Sequence, residues 1–504
     1  VKILFVYPEF PDTFWSFKHA LKFIRKKAAS PPLSLLTVAA MVPAGWEKRL
    51  VDLNVDKLTD QDLAWADYVF ISAMVVQRES THAAVARCKA AGARIVAGGP
   101  LFTAEYREFP EVDHFVLNEA ELVMPGFVED LAAGTARRIY NCPDYPDIRQ
   151  TPIPLWNLAD LRRYDAMNIQ FSRGCPYNCD FCNITALFGH KPRTKSASQI
   201  VAELDGLYAL GWRKNIFFVD DNFIGNKRLL KTEILPALIA WRKGKIGVAF
   251  STEVSINLAD DPELLRLMTE AGFTTVFIGI ETPSEASLSE CSKIQNKNRD
   301  LVASVKRIQH AGMQVQGGFI VGFDSDTPSI FQQQVNFIQM SGIVTAMVGL
   351  LQAPYGTQLY DRMQAEGRLV DVPSGDNVDG NTNIVPQMGI DALRSGYRWL
   401  LDQIYAPKPY YDRVRTFLSE YKLPEVRPYL EFQYILAFFR SIYQLGVKGI
   451  ERRQYWRLLG WTLFRKPKAF PLAVTLAIYG HHFRQVCERH VLAPGRVTGP
   501  GAAL

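Results

Sequence analysis

Cys175, Cys179 and Cys182 are the residues of this chain best equipped for chemistry. Three of its seven cysteines fall within eight residues, spaced CxxxCxxC, in the run Gly174-Cys175-Pro176-Tyr177-Asn178-Cys179-Asp180-Phe181-Cys182. Gly174 and Pro176 argue for a loop rather than a helix face. Three thiolates on one loop can hold three corners of a [4Fe–4S] cluster. The fourth iron is then left without a protein ligand, open to a substrate or cofactor. A zinc site completed by His190 would use the same kinds of ligand. A disulfide is disfavoured, because the count is odd and the other cysteines are scattered.

The loop follows a β-branched and aromatic run at 168–173. Further strands are predicted at 215–220, 246–252, 274–280, 315–321 and 344–351, each followed by a helical pattern. Six βα units predict a partial (β/α)6 barrel over 168–374, whose chemistry sits at the C-terminal ends of its strands. The cysteine loop falls at that end. Asp220-Asp221-Asn222 ends the second strand, Glu253 follows the third, and Glu281 closes the fourth. Two adjacent acids are costly there unless solvated or engaged, and helix capping accounts for only one of them. Arg193 and Lys195 read as the surface of a helix start or as contacts for an anion.

Upstream, strands are predicted at 2–7, 49–53, 68–73, 94–97 and 114–117, alternating with helical patterns, notably 79–91 and 119–133. The whole is α/β, and residues 1–135 form a doubly wound parallel sheet. Ligands of such sheets bind at the carboxyl ends of the strands. Asn54, Ser72, Gly98-Gly99-Pro100 and Asn118-Glu119 stand there. Residues 136–167, rich in Pro and Asp, read as a linker. Residues 375–504 read as a polar loop (375–389) and then a helical, aromatic, basic C-terminal domain.

At 504 residues the chain has room for two to four domains, and 48% hydrophobic with 21% charged residues is ordinary for a globular protein. No apolar run is long enough to span a bilayer. The opening Val1–Tyr7 is strand-like and too short for a signal peptide, so a reducing, cytoplasmic setting is expected. The net charge of +6 is uneven: residues 390–504 hold 18 Lys and Arg against 8 Asp and Glu. That excess points to an anionic partner or membrane surface, or equally to a solvated helical face.

The cysteine spacing, with an aromatic just before the last cysteine, resembles the radical S-adenosylmethionine (radical SAM) superfamily. A doubly wound, Rossmann-like domain before such a barrel resembles its cobalamin-binding class. Ala28–Leu36, Gly98–Pro100 and Asn118–Glu121 look like recurring segments of that class, and the layout most resembles the hopanoid C-2 methylase group.

The resemblance implies a cluster on Cys175, Cys179 and Cys182, with SAM chelated by the open iron. SAM contacts are implied at Phe181, Asp220, Asp221, Asn222, Glu253 and Glu281. Cobalamin contacts are implied at Asn54, Ser72, Gly98, Gly99, Pro100, Asn118 and Glu119. One departure is visible: the Asp-x-His-x-x-Gly motif is absent, and Asn54 stands where its cobalt-ligating histidine would be. An amide is a poor metal ligand beside imidazole, so no histidine is expected on the lower face of cobalt. The activity implied is methyl transfer to an unactivated carbon of a small-molecule or lipid substrate. SAM would serve as radical source and methyl donor, with an external one-electron reductant of flavodoxin or ferredoxin type and no nucleic acid. Peripheral membrane contact would fall to the basic C-terminal region. A radical cyclase and a non-enzymatic corrinoid-binding sensor share the layout. An RNA methylthiotransferase is disfavoured: that class has three further N-terminal cysteines, and only Cys88 and Cys142 occur here.

Overall fold

The computed structural model describes residues 1–376, 378–424 and 431–491. The first sheet contains β1 (Lys2–Tyr7), β2 (Glu47–Asp52), β3 (Tyr68–Ser72), β4 (Arg94–Gly98), β5 (His114–Leu117) and β6 (Ile139–Asn141). All pair in parallel, in the order β2-β1-β3-β4-β5-β6. β1 is an unbroken apolar run because helices cover both faces of the sheet: Ile3 and Phe5 enter one core, Leu4 and Val6 the other. The strand order reverses between β1 and β3, which opens a crevice at their carboxyl ends. β6 lies within the segment read as linker, so this sheet continues past residue 135. Its three residues bury only Tyr140, too little to show a strand period.

The second sheet contains β7 (Met167–Ile169), β10 (Asn215–Phe218), β11 (Ala249–Glu253), β12 (Phe273–Glu281), β13 (Gln314–Val321) and β14 (Ala346–Leu350), with a small ribbon of β8 (Ser172–Arg173) and β9 (Arg193–Thr194) beside it. The order β14-β13-β12-β11-β10-β7 is parallel throughout, an open six-stranded barrel. The strand expected at 168–173 is split. Asp220 draws the backbone N–H groups of Phe171 and Ser172 to itself, which turns the chain out of the sheet toward the cysteines. Under the barrel, Phe218, Phe223, Phe250 and Phe273 pack ring on ring.

Five C-terminal helices follow among the described residues: Ile390–Tyr405, Pro407–Glu420, Phe432–Ser441 (continuing to Lys448), Arg452–Arg465 and Phe470–His490. The first two close the free edge of β14. The Thr345 carbonyl faces β13, accepting from the Gly317 N–H at 2.9 Å. The carbonyls of Val344, Ala346 and Val348 point outward and accept from Arg413, Tyr405 and Tyr397. Arg413 is fully buried between the rings of Tyr405 and Tyr410, so barrel and helices share one core. Among the described residues, no helix is long and apolar enough to cross a membrane.

Candidate active site

Gly174 turns β8 into the cysteine loop at φ +91°, and a Cβ there would lie within 3.0 Å of the carbonyl oxygens of Phe188, Gly189 and Lys191. The loop is anchored beyond. The Asp180 N–H donates to the Cys291 carbonyl (3.2 Å), the Leu359 N–H donates to the Asp180 carbonyl (2.9 Å), and the Phe181 ring packs against Phe323. Cys175, Cys179 and Cys182 are half-buried and form no disulfide. Burial raises all three thiols, Cys182 to about 12, each against the pull of the Lys293 ammonium. Lys293 pairs with Glu281 at 2.6 Å and sits 5.9 Å above the Phe181 ring, while Gln295 Nε2 donates to Cys179 Sγ at 3.7 Å. Among the described residues, no three His, Cys, Asp or Glu side chains converge as a single-ion site requires, and His190 is exposed. Three soft donors spread along one anchored loop beside a buried cation fit an anionic polynuclear cluster.

The polar side chains at the strand ends divide into two kinds. Asp220 is fully buried and spent on Phe171 and Ser172, including a 2.6 Å bond from Ser172 Oγ. Asn222 accepts from the Ser255 N–H at 3.2 Å. These two hold the framework. Asp221 lines the large cavity described next, and burial raises its carboxyl to about 6, eased by the Gly174 backbone. Burial raises Glu253 further, to about 8, with Asp221 and Asp220 adding to it. Glu281, at φ +62° on a bulge of β12, keeps its carboxylate on Lys293.

The rims of the two sheets enclose a cavity of about 770 Å³. From the first sheet it is lined by Ser72, Gly98, Gly99, Pro100, Asn118 and Glu119, and from the barrel side by Arg173, Asn183, Lys195 and Asp221. Gly99 adopts φ +92°, and a Cβ there would stand 2.6 Å from Ser72 Oγ and 3.3 Å from the Ala73 carbonyl. A Cβ at Gly98 would likewise stand 2.7 Å from the Val116 carbonyl, so both glycines serve close packing of the strand end. Their bare backbone lines the cavity, whose residues fit a corrinoid. Asn54 does not line this cavity. Its side chain donates to the Pro8 carbonyl and Asp52 Oδ1 and accepts from the Phe10 N–H at 2.9 Å, tying two strand-end turns together. Glu119 binds Arg173 and Arg193, each at 2.6 Å, and Lys195 is buried against Glu203. Neither basic residue is the open helix-start surface that the sequence allowed. The ion pairs across the rims were not foreseen, although Arg173, two residues before the first cysteine, was in plain view.

Facing strand rims around one cavity, with the CxxxCxxC loop on one rim and a glycine cradle on the other, define a corrinoid-type doubly wound domain joined to a radical SAM barrel. The B12 binding domain family matches residues 26–128, the Radical SAM superfamily 169–338, and a domain of unknown function (DUF4070) 357–493. The chain is 39% identical over 502 residues to an uncharacterized methyltransferase of Synechocystis sp., covering 97% of this chain and 92% of that one. It is 32% identical over 470 residues to the hopanoid C-2 methylase of Rhodopseudomonas palustris, covering 90% and 88%. The fold is shared with the cobalamin-dependent S-adenosylmethionine radical enzyme OxsB (TM-score 0.62, 13% identity, 97% of this chain and 80% of that one). It is shared too with the radical S-adenosylmethionine methyltransferase TsrM from Kitasatospora setae (0.56, 15%, 74% and 77%).

The chain belongs to the cobalamin-binding radical SAM family. It is an enzyme of the methyltransferase group within it, and its cofactors are a [4Fe–4S] cluster, SAM and cobalamin.

Proposed function

We propose that the chain methylates an unactivated carbon of a hydrophobic small molecule, a class that includes the polycyclic lipids. The observation that carries this reading is the single cavity reached from both strand rims, where Leu33, Val38, Met41, Ile184 and Leu187 supply apolar wall and Arg173 and Asp221 supply charge. When bound, the cluster with SAM supplies a carbon-centred radical and cobalamin supplies the methyl group. The chain's own work is to bind, orient and exclude water.

In this reading residues 1–135 carry cobalamin through Ser72 and Gly98-Gly99-Pro100, with Asn118 and Glu119 bracing that rim. Residues 168–374 carry the cluster on Cys175, Cys179 and Cys182. Asp221 and Glu253 are the acids left to meet the SAM amino group, because Asp220 and Asn222 are committed to backbone and Ser255. The Phe181 backbone is the adenine contact, and Glu281 acts with Lys293. The segment after β6 joins the two parts, helices Ile390–Tyr405 and Pro407–Glu420 close the barrel, and the helices that follow meet a lipid surface from the cytoplasmic side. An external one-electron reductant of flavodoxin or ferredoxin type feeds the cluster.

The test is anaerobic reconstitution with reductant, SAM and methylcobalamin against lipid extracts, read by mass spectrometry. A product heavier by one methylene and absent with Cys179→Ala is expected. A product of unchanged carbon count would make the enzyme a cyclase. SAM cleavage with no lipid product in any extract would remove the hydrophobic substrate.

A further inference from the structure

The C-terminal helices present a surface that the cavity does not use. Along the helix from Phe432 to Lys448 and just past it, Phe432, Ile435, Phe439, Tyr443, Val447 and Ile450 recur every three or four residues. All six are exposed, from 51% at Ile435 to 74% at Ile450. The opposite face already packs inward through Ala437, Ser441 and Leu445, so the outer stripe is not needed to hold the helix. Helix Arg452–Arg465 extends the patch with Trp456, Leu463 and Phe464, the last 85% exposed. The Trp456 indole N–H donates to the Gly446 carbonyl at 2.9 Å and joins the two helices. Apolar surface of this extent is uncommon on a free monomer.

The charge around the patch is one-sided. Residues 432–468 contain eight Lys and Arg and a single acid, Glu451. Glu451 is buried and bound to Arg484 at 2.5 Å. Arg452, Arg453, Arg457, Arg465 and Lys468 make no ion pair among the described residues. Exposed aliphatic and aromatic groups fringed by unpaired cations are complementary to an anionic bilayer surface, whose acyl boundary takes the former and whose headgroups take the latter.

We propose that residues 432–468 form a peripheral docking face for an anionic lipid bilayer. A second copy of the chain is a poorer occupant, because a two-fold contact sets the same basic patch against itself. The inference extends the reading of a lipid-side enzyme by naming where it meets the lipid, and it is tested without turnover, so either can fail alone.

The experiment is sedimentation of the full-length holoprotein with vesicles of phosphatidylcholine, with and without phosphatidylglycerol, over a salt series. The protein is expected to pellet with the anionic vesicles and to be released as salt rises. The paired changes Ile450→Glu with Phe464→Glu, and Arg452→Glu with Arg453→Glu, are each expected to weaken partitioning at least about tenfold. All four positions are exposed, and an unchanged melting temperature checks the fold. The proposal is overturned by failure to bind anionic vesicles, or by equal binding to neutral ones that the variants leave intact. It is overturned also if the same variants dissolve a dimer, or if the surface retains nucleic acid and not vesicles.

Discussion

Glu119 Oε1 lies 2.6 Å from Arg193 Nη2 while its Oε2 lies 2.6 Å from Arg173 Nη1, so one carboxylate after β5 clamps both strands of the β8–β9 ribbon. The first sheet is thereby pinned to the cysteine side of the cavity, and Arg173 also binds Glu121 at 2.8 Å. Removing one partner from a buried ion pair leaves charge uncompensated. Glu119→Gln is expected to cost about 3–5 kcal/mol of stability and to loosen cobalamin, measured by thermal unfolding and corrinoid retention. Melting unchanged within error would show the clamp to be decorative.

The same network sets an acid limb. Burial alone would raise the Glu121 carboxyl, but Arg173 more than offsets this and holds it below the ordinary carboxylate range. An acid depressed in the folded state contributes stability above its unfolded pKa and loses it as pH falls through the folded one. Stability of the wild type should therefore decline below about pH 4.5, and Glu121→Gln should flatten that decline in denaturant titrations at stepped pH.

Glu253 works with the opposite sign. Its carboxyl is raised to about 8 by burial and by Asp221 and Asp220, so the folded state holds a proton that the unfolded state releases near pH 4.5. This group therefore removes stability as pH rises between those two values. Glu253→Gln is expected to stabilise the SAM-free protein at pH 8, on the order of 1–3 kcal/mol, while weakening SAM binding. A SAM-free variant no more stable than wild type at pH 8 would count against a burial cost at Glu253.

Four cysteines crowd the cluster region, and they should part company on mutation. Cys291 lies behind the loop, its carbonyl accepting from the Asp180 N–H, with its side chain in an apolar cluster. Cys291→Ala should keep the iron content and the cluster absorption, whereas Cys179→Ala should lose both together with 5′-deoxyadenosine formation. Loss of iron from the Cys291 variant would make it a ligand and redraw the site.

The cradle at Gly99 makes a backbone prediction. At φ +92°, with Ser72 Oγ 2.6 Å from the Cβ it would gain, Gly99→Ala combines strain with a clash. About 2 kcal/mol or more of destabilisation is expected, with loss of cobalamin at a ligand excess that saturates wild type. Full corrinoid occupancy in the variant would move the cradle elsewhere.

Strand existence was legible because β1 is buried on both faces and reads as a continuous apolar run at Ile3–Val6, while the barrel strands are β-branched and aromatic even where burial alternates, as along Val276–Ile280. β6 was not, since three residues with one buried ring carry no period. Nor was the break inside 168–173, which depends on Asp220 reaching back 48 residues to Ser172. Site reading met the same limit. The cysteines announced themselves by spacing, but the sequence could not sort Asp220, spent on backbone, from Asp221 one residue on. Asn54 was read as a cobalamin contact from its place after β2; that it instead laces two turns together depends on Pro8 and Phe10, distant in the chain.

The outward carbonyls of β14, satisfied by Tyr397, Tyr405 and Arg413, have a practical corollary for anyone shortening the gene. A fragment stopped at residue 389 would keep the three thiols of the cysteine loop and every glycine of the cradle, yet bare a sticky flank with nothing to stop chain-to-chain zippering. The third family-matched segment is thus a condition of solubility for the other two, and minimal versions of this enzyme should precipitate rather than simply run slower.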